Sequence, residues 1–183
     1  MPLLTTNEPP LTHSGCLTIL SLNGNRVGDF MMVAHADIAL YDRGGRLTAV
    51  AEIKNRYGTS REWAAQTRRN ILAHGASCNA DYFLLVTPDR LYLWKDAGTD
   101  PVRIPPTFEA DTQSEFAPYF EKAGLDPRHV SGHAFELLVS AWLGDVIRSE
   151  GMPEKFGGER SWLGKSGFHT AVKGGRIEFE ATA

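Results

Sequence analysis

Residues 36–54 read ADIALYDRGGRLTAVAEIK. Two apolar runs flank Asp42-Arg43-Gly44-Gly45-Arg46, where glycines can take the positive φ of a tight turn. The first run extends back as FMMVAHADIALYD (30–42) and reads as one continuous strand; LTAVAEIK (47–54) reads as its antiparallel partner. If Gly44-Gly45 is a two-residue turn, Arg43 faces Arg46, and counting outward puts Asp37 opposite Glu52. Side chains alternate along a strand, so Lys54 shares the face of Glu52. Two carboxylates and a lysine thus converge on one patch of sheet, among Ala36, Ile38, Leu40, Val50, Ala51 and Ile53.

Carboxylates on strand partners with Cα atoms about 5 Å apart repel unless a cation sits between them. Their oxygens, with a backbone carbonyl such as that of Ile53, suit a hard ion, Mg2+ or Mn2+. Such an ion acidifies bound water and neutralises charge on a phosphoryl group, and Lys54 is placed to orient water or stabilise a transition state. The plainer reading is a surface hairpin in which Asp, Glu and Lys are salt-bridged.

The pattern continues outward. TSREWAAQTRRNILAHG (59–75) predicts a helix, with Thr59 as N-cap, Glu62 closing a capping box and Gly75 as the stop. Trp63, Ala64, Thr67, Ile71 and Leu72 repeat at helical spacing. DYFLLV (81–86) is a short, almost wholly apolar strand of the buried kind, and LYLWK (91–95) follows the turn Thr87-Pro88-Asp89-Arg90. Upstream, CLTILSL (16–22) and the turn Asn23-Gly24-Asn25 predict a further hairpin. EFAPYFEKAG (115–124) and HAFELLVSAWLGDVIRS (133–149) read as helices, and FHTAVKGGRIEFEA near the end as a hairpin. The apolar face of the 133–149 helix, with Phe135, Leu138, Val139, Trp142 and Val146, either covers the sheet or forms a homodimer interface.

The expected organisation is a lead-in at 1–15, an α/β core at 16–95, a Pro- and Gly-rich linker at 96–114, and a helical C-terminal extension with a terminal hairpin at 115–183. With 183 residues, 42% hydrophobic and 22% charged, the chain has the composition of a folded domain. Nineteen basic against 22 acidic residues leave a net charge of −3, so contact with nucleic acid must come from a local patch rather than bulk charge. Cys16 and Cys78 cannot make a disulfide framework or a four-ligand zinc site. There is no apolar run of membrane-spanning length and no signal-peptide pattern at the N-terminus, so a soluble, cytoplasmic protein is expected.

Asp37, fourteen intervening residues, then Glu52-Ile53-Lys54, a helix and YFLLV resemble the PD-(D/E)XK nuclease superfamily. Within it, residues 36–94 look most like the nuclease domains of restriction enzymes, including type I restriction subunits. The resemblance implies a restriction-endonuclease-like mixed sheet flanked by helices, and Mg2+-dependent hydrolysis of phosphodiesters. By that likeness Asp37, Glu52 and the Ile53 carbonyl are metal ligands and Lys54 the catalytic lysine. Gln66 stands where some members carry a helix glutamine that contacts the active site; core glutamines also bridge backbone groups. The residue before Asp37 is Ala36 where proline is usual, and residues 1–15 show no acid-bearing helix, a place that Glu136 of the C-terminal helix would fill.

Lys54, Arg56, Arg61, Arg68 and Arg69 form a local basic patch just after this site. Beside a nuclease centre they are expected to grip the phosphates of DNA; on their own they read as a solvated helix face. Gly164-Lys165-Ser166 lacks the first glycine of a phosphate-binding loop, since Glu159 stands there. His129 with His133, and Cys78 with His74, are better explained by capping, surface and semi-buried roles. The function expected is a Mg2+-dependent DNA endonuclease acting in restriction or repair. The alternative is a catalytically silent nuclease fold that binds nucleic acid or a partner protein.

Overall fold

The computed structural model describes residues 36–74, 79–151 and 161–179. The predicted hairpin at 16–25, the strand segment 30–35, Gly75, Cys16 and Cys78 lie outside the described residues. The architecture is α/β, with a mixed sheet of six strands in the order β5-β4-β3-β2-β1-β6. The strands are β1 (Ile38–Tyr41), β2 (Leu47–Ile53), β3 (Tyr82–Val86), β4 (Arg90–Lys95), β5 (Phe108–Asp111) and β6 (Arg176–Phe179). β2 and β3 are parallel and joined through helix α1 (Arg61–Ala73); every other neighbouring pair is antiparallel.

The β1–β2 turn is longer than expected, yet the register is the expected one. Gly45 N–H donates to the Asp42 carbonyl at 3.0 Å, Asp42 N–H to the Arg46 carbonyl at 2.9 Å, and Arg46 N–H to Asp42 Oδ1 at 2.9 Å. Gly45 has φ +85°, so a bulged turn replaces the two-residue one. Tyr41 then pairs with Leu47, but a bulge takes up Thr48, and Leu40–Ala49, Ala39–Val50 and Ile38–Ala51 recover the register. The two departures cancel. β1 begins at Ile38, so Asp37 stands at the mouth of the strand rather than within a long one.

Alternation along the strands divides the core. Val50, Phe83, Leu85, Tyr92 and Trp94 pack with Ala64 on the α1 side. Ile38, Leu40, Ala49, Ala51, Ile53, Leu84 and Leu93 face the other layer, built from α2 (Gln113–Ala123), α3 (Gly132–Arg148), α4 (Trp162–Ser166) and α5 (Phe168–Val172). α3 spends its apolar face on this layer: Phe135, Val139, Trp142, Leu143 and Val146 are all fully buried. Trp142 also meets Phe116 edge-on, with ring centroids 5.5 Å apart.

Several local expectations need correcting. The N-cap of α1 is Ser60, whose side chain accepts from Trp63 N–H; Thr59 is buried, and its hydroxyl bonds Tyr92 Oη at 2.9 Å. The segment read as a linker contains β5, paired to β4. The tail is not a hairpin: Phe168 and Val172, one helical turn apart and both fully buried, make α5, and the next strand pairs with β1. The residues after 107 therefore supply both edges of the sheet and one of its layers. Among the described residues no helix is long and apolar enough to cross a membrane.

Candidate metal centre and adjoining cleft

The centre lies where β2 ends and β1 begins. Strand alternation turns Glu52 to the α1 side, while the register carries Asp37 across from it. Glu52 is 7% exposed, a costly place for a carboxylate. Its carboxyl is pushed up to about 7, first by burial and then by the charge of Asp37, with Lys54 pulling the other way. Lys54 Nζ stands 3.5 Å from Glu52 Oε2, as their shared strand face requires. Asp37 Oδ2 accepts a hydrogen bond from Ile53 N–H at 2.6 Å, which ties the start of β1 to the end of β2. Lys54 N–H donates to the Val86 carbonyl at 2.9 Å, so the lysine backbone is held by β3.

The donor set is two carboxylates that repel each other, with the Ile53 carbonyl next to Glu52 in sequence. Among the described residues no group of three or more His, Cys, Asp or Glu side chains comes together as a metal cluster. Mg2+ does not require one: it is usually held by one or two carboxylates, with water and substrate phosphate completing its octahedron. The residues present fit such an ion.

No family model, curated protein or solved structure matches this chain.

The remaining predicted site residues divide. Arg56 is exposed and lies over the Trp63 ring, 5.3 Å from its centroid. Arg69 is exposed, 3.3 Å from Asn70 Oδ1. Arg61 reaches away from the centre, to the Pro106 carbonyl and to Glu109 at 3.9 Å. Gln66 gives its amide N–H to Asn70 Oδ1 at 2.9 Å rather than to the carboxylates.

Arg68 is not a phosphate-gripping residue. It is 1% exposed, with its guanidinium 5.6 Å from the Phe83 centroid and 5.7 Å from that of Trp94. It donates to the Gly98 carbonyl at 2.6 Å and to that of Ala97 at 3.3 Å. Its position on α1, one turn after Ala64 and one before Leu72, puts it on the apolar stripe, and its long stem lets it serve as core.

Sequence reasoning named Glu136 for this neighbourhood but missed the cleft that it lines together with Asp37. The cleft encloses about 410 Å3 between the β1–β2 mouth and α3, with His133, Glu136, Leu137 and Ser140 along one wall and Phe179 of β6 on another. The signal was present, because these four α3 residues fall on one helical stripe opposite the apolar face. His129, by contrast, is a surface residue 2.6 Å from Asp126 Oδ2.

Proposed function

We propose that this chain is a metal-dependent endodeoxyribonuclease on a restriction-endonuclease-like core, working on DNA in the cytoplasm. The observation that carries the reading is the buried Glu52 carboxyl, held near 7 by its surroundings and by Asp37, with Lys54 Nζ 3.5 Å away. A strongly perturbed acid facing a second acid and a lysine is what acid–base and metal-assisted chemistry requires of a site. Asp37, Glu52 and the Ile53 carbonyl would hold Mg2+, for which Mn2+ can substitute. Bound there, the ion would supply charge neutralisation at a phosphodiester and an acidified water.

The chain's own residues do the rest. Lys54 donates an N–H to the attacking water or to a phosphate oxygen, and its charge favours the pentacovalent phosphorus over the ground state. Burial of Glu52 keeps bulk water from one side of the centre, which strengthens each charge interaction inside it. Arg56 and Arg69, exposed and paired with no carboxylate among the described residues, would hold the backbone of the strand. A dimer that cuts both strands of a duplex would need a surface other than the apolar face of α3, which is used within the chain.

The second reading, a nuclease fold that binds DNA or a protein without cutting, draws on the contacts of Lys54 with Glu52 and of Asp37 with Ile53 N–H, which already satisfy both groups internally. Cleavage of supercoiled plasmid and of single-stranded DNA with Mg2+, Mn2+ or EDTA separates the two. Metal-dependent cutting lost in both Glu52→Ala and Lys54→Ala supports the nuclease. Cutting that survives in both overturns it, and an inert wild type that still binds labelled DNA favours the silent module.

A further inference from the structure

The cleft beside Asp37 is built differently from the centre it adjoins. Leu137 is 57% exposed and Phe179 60%, two of the four large hydrophobic residues left exposed among the described residues, and both line this one cleft. Its polar groups are the carboxyls of Asp37 and Glu136, His133, and the Ser140 hydroxyl, which is spent on the Glu136 carbonyl at 2.7 Å. Glu136 Oε2 lies 3.8 Å from His133 Nδ1, an ion-pair distance but beyond hydrogen-bond length, so its carboxylate keeps hydrogen-bonding capacity for a ligand.

The Glu136 carboxylate, on the wall away from the metal centre, repels phosphate, so the cleft does not continue the backbone track. An exposed aromatic ring and an exposed leucine beside it fit a flat apolar face. A volume of about 410 Å3 is in the range of small-ligand pockets. The complementary ligand is flat, uncharged and rich in N–H donors. That describes a nucleobase.

Resting on the nuclease reading above, we infer that this cleft takes one unstacked base of the DNA strand, with Phe179 as its stacking face and Glu136 as the acceptor that reads it. An ionised carboxylate accepts two parallel hydrogen bonds. Guanine offers two, from N1–H and the N2 amino group, whereas thymine, adenine and cytosine each offer one kind of donor on that edge. The substrate is therefore single-stranded or locally unpaired DNA, and guanine is the favoured base beside the site. A base must leave its stack to enter, as in other proteins that read extruded bases.

The test is binding by fluorescence anisotropy in EDTA, which isolates recognition from cleavage. The probes are five-nucleotide single strands of thymidine with a central deoxyguanosine, deoxyinosine or thymidine. The guanine strand is expected to bind about tenfold tighter than the thymidine strand. Inosine, which lacks the N2 amino group, falls between them. Glu136→Gln should remove the guanine preference, and Phe179→Ala should weaken all three about tenfold, with Phe179→Trp restoring binding. Both side chains are exposed enough for the variants to fold, which a melting curve checks. Equal affinity for the three probes, no binding at all, or a preference unchanged in Glu136→Gln overturns the base pocket. Guanine-selective binding by a protein that cuts nothing with Mg2+ or Mn2+ keeps the pocket and removes the nuclease; metal-dependent cutting without selectivity does the reverse.

Discussion

Replacing Glu52 by glutamine is expected to stabilise the metal-free protein at pH 8 and to flatten its pH dependence. Burial and Asp37 push the Glu52 carboxyl from 4.5 to about 7. A raised value in an acid means that the folded chain holds the proton more tightly than the unfolded chain does. Between about pH 4.5 and 7 the folded state binds more protons, so stability falls as pH rises through that window and is fully retained below it. At about 1.4 kcal/mol per pH unit the cost at pH 8 is about 3 kcal/mol. Glutamine keeps the shape and never ionises. The pull of Lys54 is already contained in that raised value, so it is not subtracted again. The net gain is about 3 kcal/mol, a rise in Tm of about 6–12 °C for a chain of this size. Scanning fluorimetry at pH 5, 6, 7 and 8 reads this as the difference between variant and wild type, which cancels the other titrating groups. Mg2+ is expected to raise the Tm of the wild type more at pH 8 than at pH 5, because only the ionised pair binds it, and to leave Glu52→Gln unmoved. A variant that melts with the wild type at every pH would refute the reasoning, as would wild-type stability that holds level relative to the variant across the window.

Two further substitutions test the fold that positions the site. Arg68→Ala should cost about 3 kcal/mol in urea unfolding, since it empties a fully buried site and frees the Ala97 and Gly98 carbonyls. Arg69→Ala, on the exposed side, should change stability by less than about 0.5 kcal/mol and instead weaken DNA binding and its salt dependence; equal costs for the two would sink the assignment. Gly175→Ala would place a Cβ 1.8 Å from the Tyr41 carbonyl oxygen, so β6 must part from β1. A loss of about 3 kcal/mol or more is expected, against little for Gly132→Ala, where nothing lies within 4 Å. Identical melting of the two glycine variants would speak against the β1–β6 pairing.

The apposition of Asp37, Glu52 and Lys54 was legible because strand alternation and hairpin register are local properties. Even there the route differed: Gly45 makes a longer turn, and the bulge at Thr48 restores the count. Thr59 and Ser60 both suit an N-cap, and the choice fell to Ser60 because Tyr92, far along the chain, takes the Thr59 hydroxyl. Arg68 looked like one more surface cation because charge is visible in a sequence and depth is not. The segment 168–172 carried its helical signal in Phe168 and Val172, but the glycines after it suggested a hairpin turn.

Chain-neighbour sterics and period thus determined the strands β1 to β4, the helices α1 to α3 and the facing of two acids and a lysine. Only the tertiary structure decided that β6 joins β1, that Arg68 is core, and that α3 lays Glu136 beside Asp37. Those contacts join residues well separated along the chain. They are set by which layers bury the most apolar surface together, a sum over the whole fold that no local window of sequence contains.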